Sequence, residues 1–261
     1  MKLIFFDIDG TLITDDERRL FPEDAKEAIR AARAAGNLVF INTGRVRCNV
    51  EEFITEPGFD GLVCGCGTYI EYHGEVIHHR RMPKEDCHRI AHLCRNCRMQ
   101  AFFEYAYGSF YDGEIHLPYL LPLVRYMENS GRTLGKDIEA EEFIFDKFSG
   151  WFDQNSDVES FKRGIEGIFT YIDRGPDFFE VEPVGCSKAS GIDFLLKFFG
   201  LTKEEVYVFG DGNNDIEMMQ FAGHSIAMGN GNENAKAAAE YVTSDIEEGG
   251  IRQGLMHFQL I

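Results

Sequence analysis

Apolar runs at the two ends of the chain are short, continuous and closed by acids or glycines, whereas the middle carries longer alternating and aromatic stretches. The run from Lys2 to Phe6 stops at Asp7, the pattern of a strand buried on both faces. Pro22 suits the first position of a helix in which Ala25, Ala28, Ile29 and Ala32 recur at helical spacing until Gly36 ends it. Leu38 to Ile41 is a second buried strand, leading into Thr43-Gly44-Arg45, so this stretch reads as a β-α-β unit with a parallel pair. Near the other end, Val206 to Phe209 is a third such strand, followed by Gly210-Asp211-Gly212-Asn213-Asn214-Asp215 and a helix through Phe221. A strand at Ser225 to Met228, a helix through Glu240 and a strand at Tyr241 to Thr243 continue the alternation. The two ends together predict one α/β domain, a doubly wound, Rossmann-like parallel sheet.

The middle follows a different rhythm. Tyr69 to His78 predicts a hairpin turning at His73-Gly74. From about Pro83 to Pro183, helix-like stretches mix with aromatic alternating runs such as Phe102 to Tyr111 and Phe143 to Phe148, which predicts an inserted α+β domain. With Arg80-Arg81-Met82-Pro83 and Glu182-Pro183-Val184-Gly185 as linkers, the core occupies 1–81 and 184–261 and the insert 82–183. Neither an internal repeat nor a low-complexity tract is present.

Composition narrows the class. With 44% hydrophobic residues, 23 Phe and 10 Tyr, the chain has ample material for a packed core, which excludes disorder. Lys+Arg 26 against Asp+Glu 44 gives a net charge of −18, a field that repels phosphate backbones and anionic lipid and so argues against nucleic-acid or membrane-surface partners. The apolar start ends at Asp7, too early for a signal-peptide core, and the run Leu117 to Val124 is short and holds Pro118 and Pro122, so no membrane segment is expected. Seven Cys, an odd number, argue against a fully paired disulfide framework and for a reducing, cytoplasmic home.

Candidate chemistry gathers at the strand ends. Asp7 and Asp9 follow the first strand in Asp7-Ile8-Asp9-Gly10-Thr11, and Asp211 and Asp215 follow another strand on the same edge. In an open parallel sheet ligands bind at these carboxyl ends. Asp-Gly and Gly-Asp also form ordinary turns, yet four converging carboxylates repel one another unless a cation sits among them, and oxygen ligands suit Mg²⁺. Thr43-Gly44 offers a hydroxyl and a bare backbone N–H for an oxyanion. Lys188 opens the helix Ala189 to Phe199, where a cation faces the positive end of the helix dipole; a bound anion reverses that sign. These pieces amount to a metal, a nucleophilic carboxylate, a second carboxylate for proton transfer and a phosphate cradle.

The order Asp7-Ile8-Asp9-Gly10-Thr11-Leu12, then Thr43-Gly44-Arg45, then Lys188, then Gly210 to Asp215 closely resembles the haloacid dehalogenase superfamily, and the long insert resembles its Cof-type, subclass IIB hydrolases. The resemblance implies a phosphatase acting on a small phosphomonoester such as a sugar phosphate or a phosphorylated cofactor. In it Asp7 attacks phosphorus, while Asp9 protonates the leaving alcohol, then deprotonates water and contacts Mg²⁺ through its backbone carbonyl. It also implies that Thr43, Gly44, Lys188 and Asn214 hold the phosphate, that Asp7, Asp9, Asp211 and Asp215 form the metal site, and that the insert acts as a cap that selects the substrate. Cys66-Gly67-Thr68 stands where many Cof-type members carry Asn-Gly-Ala, and Ala189 where Gly is usual. The alternatives are a sugar phosphomutase or phosphotransferase and, in another class, a phosphorylatable signalling module. Substrate identity and oligomeric state are left open.

Other features read as structural. Cys87, Ile90, Ala91, Cys94 and Cys97 share one helical stripe, which favours burial over zinc binding. His88 and His92 read as a surface helix pair, the aromatics from Phe102 to Tyr111 as insert core, and His78-His79-Arg80-Arg81 either as a solvated face or as a contact for an anion.

Overall fold

A computed structural model describes residues 1–115, 117–129 and 133–261. In chain order the strands of the first third are β1 (Leu3–Phe6), β2 (Leu38–Asn42), β3 (Gly61–Cys64), β4 (Tyr69–Tyr72) and β5 (Glu75–His79). The middle supplies β6 (Gln100–Tyr105), β7 (Gly108–Tyr111), β8 (Leu134–Gly135), β9 (Lys147–Trp151), β10 (Phe169–Asp173) and β11 (Phe178–Pro183), and the last third β12 (Val206–Gly210), β13 (His224–Ala227) and β14 (Tyr241–Val242). The helices are α1 (Glu23–Ala34), α2 (Glu52–Thr55), α3 (Lys84–Asn96), α4 (Leu121–Asn129), α5 (Val158–Ile165), α6 (Lys188–Phe199), α7 (Ile216–Phe221), α8 (Glu233–Ala238) and α9 (Gly250–His257). They divide into two compact units, one of Met1–Arg45, Asn49–His79 and Cys186–Ile261, the other of Val46–Cys48 and Arg80–Gly185.

The first unit is built on an eight-stranded sheet in the order β14-β13-β12-β1-β2-β3-β4-β5. The six strands from β14 to β3 run parallel, and β4 and β5 are antiparallel additions. Every residue of β1 is fully buried, as its unbroken apolar run requires of a central parallel strand. β1 pairs with β12 on one side (Phe6 opposite Phe209) and β2 on the other (Phe6 opposite Ile41), so all three strands end at the same edge. The strand order reverses between β1 and β12, the place where an open α/β sheet leaves a crevice. The hairpin turns at His73 and Gly74, whose positive φ angles of 48° and 81° match a tight two-residue turn.

Sequence expectations shift by a residue or two at most ends, and a few change character. Pro22 caps α1 from outside instead of opening it. Glu182 and Pro183 belong to β11, so only Val184–Ser187 separate that strand from α6. The alternating run Phe143 to Phe148 is not one strand: β9 begins at Lys147, and Phe143 and Phe145 reach the core from an irregular segment.

The second unit has a six-stranded sheet, β10-β11-β9-β6-β7-β8, antiparallel except between β7 and β8. One face presents Ala101, Phe103, Phe110, Phe148, Phe179 and Val181 to the apolar sides of α3 and α5, with Cys87, Ile90, Ala91, Cys94 and Phe161 among the partners. The cysteine stripe is therefore core. Burial pushes the Cys87 thiol up to about 11 and that of Cys94 well above its usual value, the opposite of the thiolate a zinc site needs. His88 corrects the surface reading: it is half-buried, with Nδ1 2.9 Å from the Ile138 carbonyl and its ring 5.4 Å from that of Phe143. The aromatic stretch divides by strand alternation, Phe103 and Phe110 on one face and Phe102 and Tyr111 on the other with Val124 of α4. No helix among the described residues is long and apolar enough to cross a membrane, and no disulfide joins any of the seven cysteines.

Phe148 is the centre of the aromatic core: the rings of Phe103, Phe145, Phe161, Phe169 and Phe179 lie 5.3–6.3 Å from it. Phe148→Ala is expected to destabilise the protein by about 3–5 kcal/mol in urea unfolding; a loss under about 1 kcal/mol would contradict this packing.

Candidate active site

The end of β1 continues the sheet by one bond, Asp7 N–H to the Phe209 carbonyl at 3.0 Å, before the chain turns back on itself. Leu12 and Ile13 both donate to the Ile8 carbonyl, at 2.9 and 3.0 Å. That loop needs Gly10 for two reasons: its φ is +77°, and a Cβ there would overlap the Asp211 carboxylate. Asn230 Nδ2 holds the Gly10 carbonyl at 2.7 Å, and the Thr11 hydroxyl donates to Asp211 Oδ1 at 2.8 Å. After β12, Asp215 Oδ2 accepts the backbone N–H groups of Asp211 (2.9 Å) and Gly212 (3.0 Å), so this acid shapes its own loop.

Lys188 arrives from the third direction. Ser187 and Ser190 bond reciprocally as a capping box, the Ser190 N–H to Ser187 Oγ at 3.2 Å and the Ser187 N–H to Ser190 Oγ at 2.9 Å. This fixes the first turn of α6, and Asn42 at the end of β2 donates to the Lys188 carbonyl at 3.1 Å. The ammonium lies 2.6 Å from both Asp7 Oδ1 and Asp215 Oδ1, with only 1% of the Lys188 side chain exposed. The dipole conflict noted in the sequence is resolved by these carboxylates.

Charge balance at this point is incomplete. Asp7, Asp211 and Asp215 each offer an oxygen within 4.8 Å of the others, and one ammonium against three carboxylates leaves an excess of two negative charges. Burial pushes the Asp7 carboxyl up to about 8; Lys188 pulls it down, and Asp215 and Asp211 add repulsion. Asp211 is pushed up to about 7 by burial and by Asp215, against the Thr11 hydrogen bond. Burial works against the Lys188 ammonium, but Asp215 and Asp7 outweigh it and hold its pKa above the usual lysine range. An octahedral Mg²⁺ with bonds of about 2.0–2.1 Å separates opposite ligands by roughly 4 Å, so this all-oxygen, negatively charged set fits such an ion with small side-chain adjustments.

Of the expected residues, Asp7, Lys188, Asp211 and Asp215 form this cluster. The convergence of four carboxylates does not hold: the Asp9 carboxylate is held by the Arg45 guanidinium, with Nε donating to Oδ2 at 2.8 Å and Nη2 pairing with Oδ1. Thr43 follows β2 at the same sheet edge, buried, its hydroxyl accepting the Arg45 N–H at 3.1 Å. Gly44 is half-buried, and a Cβ on it would lie 3.4 Å from Cys66 Sγ. Cys66 has φ +53°, a conformation that Asn adopts more readily, and its N–H donates to the Thr43 carbonyl at 3.1 Å. Asn214 is exposed in the turn Asn213–Asp215.

Sequence reading passed over Asn42 and the roles of Thr11, Arg45 and Glu51. A polar Asn closing an apolar strand was the available signal for Asn42; for Glu51, charge pattern alone held none.

A model of the haloacid dehalogenase-like hydrolases matches residues 4–255. Among curated proteins, the chain is similar to the 5-amino-6-(5-phospho-D-ribitylamino)uracil phosphatase YcsE of Bacillus subtilis, 26% identical over 261 residues, covering 100% of this chain and 96% of that protein. Among solved structures it is similar to a Geobacillus kaustophilus protein (30% identity, TM-score 0.86, 100% of this chain and 99% of that one). It is also similar to the HAD subclass IIB sugar phosphatase BT4131 (30% identity, TM-score 0.80, 100% of both chains). With the family model spanning nearly the whole chain, this chain belongs to the haloacid dehalogenase-like hydrolases.

Proposed function

We propose that the chain is a Mg²⁺-dependent phosphatase that hydrolyses a small phosphomonoester metabolite through an aspartyl phosphate on Asp7. The observation that carries this reading is the buried contact of Lys188 with Asp7 and Asp215, with the Asp211 carboxylate alongside. Such a pocket holds a nucleophile under a fixed cation and retains unbalanced negative charge for a metal.

In the first half of the reaction an Asp7 carboxylate oxygen bonds to phosphorus, and the phosphorus–oxygen bond to the alcohol breaks with its electron pair leaving on that oxygen. Asp9 gives the departing oxygen a proton. In the second half Asp9, now ionised, takes a proton from water as the water oxygen bonds to phosphorus; the bond to Asp7 breaks, and the carboxylate and inorganic phosphate return. Lys188, the Thr43 hydroxyl, the Gly44 N–H and Asn214 hold phosphoryl oxygens, an electrostatic cradle aimed at the charge of the transferring group. Asp7, the Asp9 carbonyl and Asp211 would hold Mg²⁺, with Asp215, whose oxygens already bind Lys188 and two N–H groups, supporting it through water. When bound, the ion supplies the positive charge that keeps Asp7 and Asp211 ionised and offsets the phosphoryl oxygens.

A ribitylamino-uracil phosphate phosphatase and a sugar phosphatase among the relatives support a phosphorylated sugar or cofactor precursor as substrate. Choice among such compounds is assigned to the insert, expected from the sequence at residues 82–183.

Turnover of p-nitrophenyl phosphate is expected with Mg²⁺, to cease in EDTA, and to fall by about three orders of magnitude or more in Asp7→Asn. Activity that persists in either case overturns the proposal, and phosphate transferred to an added sugar phosphate instead of released marks a mutase. Lys188→Met leaves two buried carboxylates without their cation, so it is expected to abolish turnover and to cost about 3 kcal/mol in urea unfolding. A cost under about 1 kcal/mol would mean that the ammonium is not the buried counter-charge described above.

A further inference from the structure

The grip of Arg45 on Asp9 is itself held from behind. Arg45 Nη1 donates to Glu51 Oε2 at 2.8 Å and to the Asn49 carbonyl at 3.2 Å. Glu51 is in turn clasped by Arg19, whose Nη1 reaches Oε1 at 2.7 Å and Nη2 reaches Oε2 at 3.1 Å. Burial resists the Glu51 carboxylate, yet Arg19 and Arg45 hold its pKa below the usual carboxylate range. The result is an alternating row, carboxylate, guanidinium, carboxylate, guanidinium, that runs from Asp9 to Arg19, both in the segment between β1 and α1.

Arg19 is anchored independently. Its φ is +45°, its N–H donates to the Asp16 carbonyl at 3.1 Å, and its guanidinium lies 5.7 Å from the centre of the Phe53 ring. The preceding residue, Arg18, ties the same segment to Glu247 through bonds of 3.0 and 2.6 Å. Asp9 has a half-exposed side chain, 44% accessible, and needs such a support because its own burial does not orient it.

We propose that Arg19 and Glu51 are positioning residues for the proton transfers of this site: they fix the guanidinium of Arg45 and, through it, the direction of the Asp9 carboxylate, without touching substrate. This rests on the reading of Asp9 as proton donor and acceptor. Without Glu51 the Arg45 guanidinium loses one of its carboxylate partners and faces Arg19 across an unneutralised gap, so Asp9 samples unproductive directions. The loss falls on steps that need a proton. It is largest for a poor leaving group and smallest for one that departs as a stable anion.

The test uses the full chain with Mg²⁺ and compares phenyl phosphate with p-nitrophenyl phosphate in Glu51→Gln, Arg19→Met and Arg19→Lys. Single-turnover release of phenol should fall about tenfold further than the burst of p-nitrophenol in Glu51→Gln and Arg19→Met, with KM changed by less than about threefold. Arg19→Lys keeps the charge but not the two-pronged grip, and is expected to lie between these variants and the parent. Glu51→Asp, which keeps the carboxylate, should restore most of the loss. Equal losses for both substrates, or none, overturn the proposal, because a purely structural role does not depend on the leaving group. Asp9→Asn separates the two readings. If it lacks leaving-group dependence, the assignment of Asp9 fails; if it shows the dependence and Glu51→Gln does not, only the positioning role fails.

Discussion

The interaction on which the first unit's strand ends depend is the burial of one ammonium between two carboxylates from different strands. Lys188 touches Asp7 at the end of β1 and Asp215 in the loop after β12, each at 2.6 Å, and α6 must sit where its first residue can reach both. An acid of this kind cannot be buried alone, and neither can the amine. The capping box at Ser187, the Asn42 bond to the Lys188 carbonyl and the two backbone bonds to Asp215 set the approach of each partner. With a third acid, Asp211, close by, the pocket remains short of positive charge, a shortage that a divalent ion would relieve.

Two carboxylates separated by a single residue meet opposite environments. Asp7 is buried and faces Lys188; Asp9 is half-exposed and faces Arg45. Strand alternation alone would put positions 7 and 9 on one face, but the chain leaves β1 after Phe6 and turns at Gly10, too tightly for a Cβ against Asp211, so the two side chains part. Environment, not residue type, distinguishes the two acids in the roles proposed for them.

The inserted unit is held differently. Its core is aromatic, with Phe103, Phe143, Phe145, Phe148, Phe161 and Phe179 almost fully buried, and its cysteines serve as small apolar groups kept neutral by burial. Alternation along β6 and β7 explains which aromatics enter that core, and it was visible in the sequence. The segment Phe143 to Phe148 misled because its first part, with Phe143 and Phe145, reaches the core from an irregular stretch before β9 begins.

By itself the sequence determined the parallel core strands, the hairpin at His73-Gly74, the family, and the identities of Asp7, Lys188, Asp211 and Asp215, because unbroken apolar runs, glycine turns and motif spacing are local signals. Only the tertiary structure decided that three acids and not four share the pocket, that Lys188 is neutralised by protein carboxylates, and that Asp9 belongs to a row of ion pairs through Arg45, Glu51 and Arg19. The ion pairs among them join residues from 6 to 181 positions apart in the chain. Charged side chains carry no periodicity that names their partners, so the pairing is set by which loops the folded sheet brings within a few ångströms of one another.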